Sequence, residues 1–134
     1  MKKANKKTVK KTAKKTIRKK PAERPEVLNG KSYKLKNVPN GLDQLASLFV
    51  TINSHNKAPY ELFIDVKDKL LYEHLTVYSR LISMMLRNGI SHKVIADELK
   101  DITSDSTGHY IPGRGLRVNS LAARIGVCLE EHKP

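Results

Sequence analysis

LASLFVTINSHNKAPYELFIDV, residues 45–66, contains two apolar runs separated by a short polar segment. Leu45 to Asn53 predicts a β-strand, because β-branched and aromatic side chains favour extended backbone. Tyr60 to Val66 alternates between an apolar side and a mixed side, which is typical of a strand with one buried face. The five residues from His55 to Pro59 are predicted to join the two strands as a hairpin loop.

A third strand is predicted before this pair. Residues 31–38 (KSYKLKNV) alternate, with Tyr33 and Leu35 two positions apart. Residues 37–42 then hold proline, asparagine and glycine, which together indicate a turn. These patterns together predict a small antiparallel sheet of about three strands.

After residue 66 the apolar spacing becomes helical. The positions with this spacing are Leu71, Leu75, Tyr78, Ile82, Met85 and Leu86 in a first helix, Ile95, Leu99 and Ile102 in a second, and Leu121, Ile125 and Leu129 in a third. Asn88 and Gly89 end the first helix, and Ser91 is a natural N-cap for the second. Strands followed by helices predict an α+β domain, with about three helices packed on one face of the sheet.

The segment 103–117 (TSDSTGHYIPGRGLR) is polar and rich in glycine, and it is predicted to be a loop. Gly113, Arg114, Gly115 and Arg117 form a candidate anion-binding loop, because free backbone amides and cations ahead of a helix attract anions. The segment lacks a Walker or dinucleotide-binding pattern, so a plain flexible connection is the favoured alternative.

Almost all the net charge of the chain lies at its N-terminus. Residues 1–24 hold twelve lysines and arginines against one acid, a formal charge of +11, whereas residues 25–134 hold fourteen bases and twelve acids, a charge of +2. Lysine pairs recur every four residues, which is a low-complexity pattern. Since this segment has little apolar surface and its charges repel, we predict a disordered basic tail (residues 1–24) followed by one folded body (residues 25–134).

The basic tail is predicted to bind DNA or RNA through phosphates, because lysine–phosphate contacts release condensed counterions. It has no aromatic side chain on which bases could stack, so sequence preference is not expected. The predicted phosphate contacts are Lys2, Lys3, Lys6, Lys7, Lys10, Lys11, Lys14, Lys15, Arg18, Lys19, Lys20 and Arg24. An acidic membrane or protein surface, or a role in solubility or localisation, are the alternatives.

Nothing in the sequence indicates export or membrane insertion. The N-terminal charges are not followed by an apolar stretch, as a signal peptide requires. The most apolar segment, residues 70–86, is interrupted by Glu73, His74 and Arg80. We therefore expect a soluble intracellular protein of the cytoplasm, the nucleoid or an equivalent nucleic-acid compartment, without a membrane partner.

No catalytic residue, metal site or cofactor is predicted. Cys128 is the one cysteine, and its helical position suggests a small packing residue. Glu61 and Asp65 are expected on a solvated face of the sheet. The histidines occupy separate segments, which favours ordinary surface residues over metal ligands; they are His55, His74, His92, His109 and His132.

Four stretches together resemble a known family. Residues 48–64 (LFVTINSHNKAPYELFI) match its hairpin, and residues 78–90 (YSRLISMMLRNGI) match its long helix with a closing glycine–aliphatic pair. Arg24-Pro25, with Leu28 and Gly30 after it, resembles the lead-in, and residues 117–125 (RVNSLAARI) resemble the entry to the last helix. Over roughly residues 24–132 the chain is similar to the TSCPD domain, an auxiliary domain of class II, cobalamin-dependent ribonucleotide reductases.

The resemblance implies an accessory role and not the reductase activity itself, because the catalytic barrel is missing. The paired C-terminal cysteines of many relatives are also absent, so the metal site that they suggest is not expected here. We expect a non-enzymatic nucleic-acid-binding accessory protein whose body mediates contact with a protein partner or self-association. The alternatives are an auxiliary subunit that assists a separate reductase in deoxynucleotide metabolism, and a structural component of a nucleoprotein particle.

Overall fold

The computed structural model describes residues 23–40, 42, 44–103, 109–111, 116–118 and 120–134, with backbone alone for 109–111, 116 and 117. The tail residues before Glu23 and the loop residues Gly113 to Gly115 lie outside this part of the chain. The predictions made for them therefore stay predictions.

The elements follow the predicted order of strands and then helices. They are β1 (Asn29–Pro39), β2 (Leu45–His55), β3 (Ala58–Val66), α1 (Lys69–Arg87), α2 (His92–Lys100), β4 (His109–Ile111), β5 (Leu116–Val118) and α3 (Leu121–Glu131). The first three strands form one antiparallel sheet in the order β1-β2-β3. The predicted α+β fold is confirmed.

The segment predicted as a loop between α2 and α3 contains the antiparallel pair β4–β5. The prediction of a plain loop is therefore wrong for residues 109–111, 116 and 117. Strands of three residues are too short to produce a readable alternation, which is why the pattern missed them.

One face of the three-stranded sheet holds the core. Leu48, Val50 and Ile52 alternate along β2 and are fully buried, because successive side chains of a strand point to opposite faces. They pack with side chains from every helix, namely Leu75, Ile82 and Leu86 of α1, Ile95 and Ala96 of α2, and Ile125 and Leu129 of α3. The opposite face, called here the outer face, leaves Phe49 and Phe63 exposed.

The β2–β3 connection is tighter than predicted. Only Asn56 and Lys57 lie between the strands, and both have positive φ, at 52° and 64°, as a two-residue type I′ hairpin turn requires. Pro59 was predicted to lie in the loop, but it pairs with Ser54 of β2. The register of the two strands shifts between Asn53 and Ser54. An irregularity of this kind tolerates proline inside a sheet.

Helix α1 also covers the free edge of β3, which is the edge that does not pair with β2. The Ser83 hydroxyl accepts from the Leu62 amide and donates to the Leu62 carbonyl, each at 2.9 Å. Ser79 accepts from the Ile64 amide at 3.1 Å. Backbone groups of an edge strand otherwise need water or another strand. The two serines therefore complete the hydrogen bonding of β3 and fix α1 against it.

The helix ends follow the predicted signals. Asn88 and Gly89 close α1, with Gly89 at φ 84°, and Ser91 caps α2 through the Lys93 amide. Ile102, predicted to face inward from α2, lies beyond the end of that helix and is exposed.

Helices α2 and α3 approach closely at Gly126, where an added Cβ would lie 2.9 Å from the Ala96 carbonyl oxygen.

Candidate functional site

The chain enters the folded body through an ion pair on the outer face. The guanidinium of Arg24 donates to both carboxylate oxygens of Glu61, with its shortest contact, from Nη2 to Oε1, at 2.7 Å. Asn53 Nδ2 donates to the same Oε1 at 2.8 Å. Gly30 lies beside Asn53 in β1, and its lack of a side chain leaves room for the amide. Strands β2 and β3 and the segment before β1 thus meet at one carboxylate.

The expectation that Glu61 is solvated is wrong, because its side chain is only 1% exposed. Arg24 and Asn53 cover it, and neither is a neighbour in the sequence. The hydrogen bond from Arg24 is the main cause that lowers the pKa of Glu61, with Asn53 adding to it, while burial alone would raise that pKa. Asp65, two pairs further along the same face, is exposed as predicted.

Arg24 was also predicted to contact phosphate, and that stays a prediction. Its guanidinium is engaged with Glu61, and Nη1 also donates to the Pro25 carbonyl at 2.8 Å. We call the Arg24–Glu61 ion pair the anchor. The remaining predicted phosphate contacts, Lys2 to Lys20, precede the anchor in the chain. The anchor therefore fixes the point on the body from which those residues start.

The rest of the outer face carries half-exposed aromatic rings. Phe49 and Phe63 lie diagonally across β2 and β3, and Lys34 Nζ sits 5.8 Å from the Phe49 ring centroid. An open groove of about 540 Å³ borders Phe49. It is lined by two cations, Lys34 and Lys67, and two carboxylates, Asp65 and Asp68. The charges of the groove balance, so it is not an anion cradle.

A polar cluster closes the C-terminal end of the body. His132 is 5% exposed, and its Nδ1 and Nε2 bond the hydroxyls of Tyr33 and Ser54 at 2.7 and 2.9 Å. Burial is the main cause that lowers the pKa of His132, and the nearby charges of Lys31 and His92 add to it. The prediction of a surface histidine is therefore wrong at this position.

Cys128 packs against the core, as predicted. Burial raises the pKa of its thiol to about 12, which keeps it protonated and weakly nucleophilic near neutral pH. One turn earlier, Arg124 is 3% exposed. Its Nη1 donates to the Lys36 carbonyl at 2.5 Å, while its buried Nε has no hydrogen-bond partner among the described residues. Both side chains are placed for packing and not for contact with solvent.

Helix α1 exposes an apolar stripe on the side away from its buried serines. We call Leu70, Val77, Leu81 and Met84 the α1 stripe, and their exposed fractions are 50, 48, 49 and 51%. Glu73 and Arg80 lie along one flank of it, and both are exposed. This surface was not predicted, because the helical spacing of α1 was traced only at its inward positions. A second apolar series at a spacing of seven and four residues was the available signal.

The sequence model of the TSCPD domain matches residues 7–133. This chain belongs to the TSCPD domain family. The match begins inside the predicted basic tail and covers the body up to Lys133. No curated protein and no solved structure matches the chain significantly.

The remaining features of this TSCPD domain concern metal binding, the anion-binding loop and membrane-spanning helices. Within the described residues, no three histidine, cysteine or carboxylate side chains are grouped so that they could hold a metal ion. Arg117 belongs to β5 by its backbone, and the anion-binding loop proposed around it stays a prediction. Among the helices of the described part, none has the length and apolar character needed to cross a bilayer.

Proposed function

We propose that this TSCPD-domain protein is a non-enzymatic accessory protein that binds DNA or RNA through its basic tail and associates with protein through its body. The segregation of charge carries the proposal, since residues 1–24 hold +11 of the +13 formal charge. Charge at this density attracts polyanions, and nucleic acid is a densely charged one. The Arg24–Glu61 anchor joins this segment firmly to a body of nearly balanced charge.

The test measures affinity for duplex DNA across a salt series. If about eight lysines contact phosphates, log affinity should fall against log salt with a slope of about −7. Glutamine at the eight paired lysines between Lys2 and Lys15 should abolish most binding. Arginine at the same eight positions is the matched control, and it should retain binding because the charge is kept. A flat salt response, or strong preference for one sequence, would contradict the proposal.

A truncation experiment should keep the Arg24–Glu61 ion pair. Because Arg24 covers Glu61, a truncated protein should begin at Glu23 so that the ion pair is kept.

The Phe63→Ala variant is a further control in the full chain. If phosphates alone are bound, loss of this exposed ring should leave duplex affinity unchanged, because paired bases present no free face for stacking.

The non-enzymatic part of the proposal is supported by the single thiol. Ribonucleotide reduction needs a radical-bearing cysteine and a reducing pair, whereas this chain has only Cys128, which is packed in α3 with its pKa raised. Deoxynucleotide formation should be absent with adenosylcobalamin and a dithiol. Turnover that disappears in the Cys128→Ser variant would overturn this reading.

Membership of the TSCPD family favours a second candidate, an accessory subunit of a separate ribonucleotide reductase. The two functions depend on different parts of the chain. A purified cobalamin-dependent reductase should then bind the wild-type protein and the eight-glutamine variant equally, since the body would make the contact. Loss of reductase binding in the glutamine variant would assign that contact to the tail instead.

A further inference from the structure

We infer that the α1 stripe is a self-association surface, on which α1 of a second copy of this chain packs antiparallel about a two-fold axis near Val77. The inference rests on the part of the proposed function that gives the body an association surface. It does not depend on the basic tail. Its partner chemistry is that of the stripe itself, an apolar line with one acidic and one basic flanking position.

The stripe has the spacing of a helix-pairing seam. Leu70, Val77 and Met84 are seven residues apart, and Leu81 follows Val77 by four. Such positions fall on one side of a helix and form the seam when two helices pair. From Leu70 to Met84 the seam extends about 21 Å along the axis. All four side chains are about half exposed, although a core of inward side chains already fixes α1 to the sheet.

The flanking charges select the antiparallel arrangement. Glu73 and Arg80 are also seven residues apart and lie on the same flank, and neither forms an ion pair with another described residue. In a parallel pair these positions would not face each other. When one helix is turned end over end about Val77, Glu73 of each copy comes beside Arg80 of the other, so two ion pairs form.

The same rotation pairs the apolar positions. Leu70 of one copy comes next to Leu81 and Met84 of the second, and the two Val77 side chains meet near the axis. A two-fold interface must be complementary to itself, and both the apolar line and the charges of α1 satisfy this condition in one register. This agreement favours a second copy over an unlike partner.

The first experiment measures the molar mass of the full chain without nucleic acid over a concentration series. A dimer is expected. Leu81→Glu should weaken dimerisation at least tenfold, whereas Val27→Glu, a change at an exposed apolar position off the stripe, should not alter it. Circular dichroism checks that each variant is folded. A monomer at every concentration up to about 100 µM would overturn the inference.

Charge exchange tests the flank directly. Glu73→Arg and Arg80→Glu should each weaken the dimer, because like charges then face each other. The double variant should recover to within about threefold of the wild-type dissociation constant. Failure of the double variant to recover would exclude this register. The eight-glutamine tail variant should dimerise normally, so a failed tail model and a failed dimer model give different results.

Cross-linking tests the direction of pairing. In a Cys128→Ser background, Val77→Cys should form an intermolecular disulfide with itself, because the axis brings the two positions within disulfide reach. Leu70→Cys is the matched control, with nearly the same exposure on the same stripe, and it should not cross-link to itself. A Leu70→Cys disulfide would indicate parallel helices, and absence of a Val77→Cys disulfide would exclude the proposed axis.

Discussion

Arg24 and Glu61 lie 37 residues apart in the sequence, and the guanidinium of one holds the buried carboxylate of the other. The contact joins the lead-in of β1, one edge strand, to β3, the opposite edge strand. A buried carboxylate is stable only when its charge is compensated. This ion pair is therefore part of the folded body, and it also holds in place the segment that connects the body to the tail.

Arg24→Gln should lower the free energy of unfolding at pH 7, because Glu61 would stay buried with less compensation. The pKa of Glu61 is lowered from its ordinary value of 4.5 in the folded chain. The stabilisation is therefore present above that value and is lost as the pH falls through the lowered pKa. Urea unfolding from pH 7 to 3 should show a shallower pH dependence in the variant. Glu23→Gln is the control, and equal pH dependence in Arg24→Gln and the wild type would contradict the prediction.

Gly30→Ala should destabilise the body by about 1–3 kcal/mol, because the new Cβ would displace the Asn53 amide and break its bond to Glu61. The built Cβ lies 2.0 Å from Asn53 Oδ1. Asn53→Ala removes the obstruction, so the two changes should not be additive. Chemical unfolding of both single variants and the double variant measures the coupling. Strict additivity would show that the glycine is not needed for the amide.

Ser83→Ala should cost about 1–3 kcal/mol, because the Leu62 amide and carbonyl would lose their partner in a buried site. Ser79→Ala removes one bond and should cost less. Thr76→Ala is the control on the same helix, since its hydroxyl donates to the Tyr72 carbonyl within α1. A cost for Thr76→Ala as large as that for Ser83→Ala would mean that the edge contact is not the cause.

The fold was predictable where the pattern was local. Alternation in residues 60–66 and helical spacing after residue 66 report which side of each element is buried, and burial confirms Leu62 and Ile82 on the inner side. The hairpin loop was predicted too long because proline usually breaks a strand. The register shift that accommodates Pro59 depends on pairing with β2 and cannot be read from β3 alone.

The polar sites were poorly predictable because distant segments build them. Glu61 lies on the side of β3 that alternation assigns to solvent, and Arg24 covers it from before the first strand. His132, at the end of α3, is buried and bonds Tyr33 of β1 and Ser54 of β2. No sequence spacing encodes these contacts. The α1 stripe is different, since its spacing is visible in the sequence once an exposed apolar series is sought.

His132 should make the stability of the body depend on pH below neutrality. Its folded pKa is lowered from the ordinary value of 6.5, chiefly by burial. At higher pH the ring is neutral in both the folded and unfolded states, so stability does not change. As the pH falls below 6.5, the unfolded chain takes up a proton that the folded chain resists, and stability declines down to the lowered pKa.

Unfolding by urea between pH 8 and 5 measures this decline. His132→Gln should cost about 1–3 kcal/mol at pH 8, because Tyr33 and Ser54 lose well-placed partners, and it should flatten the pH dependence. His92, whose pKa is also lowered by burial, contributes in the same window. His92→Gln is therefore the matched variant, and it should keep the part of the slope that belongs to His132. A full wild-type slope in His132→Gln would assign the dependence to another group and would show that the buried ring does not resist protonation.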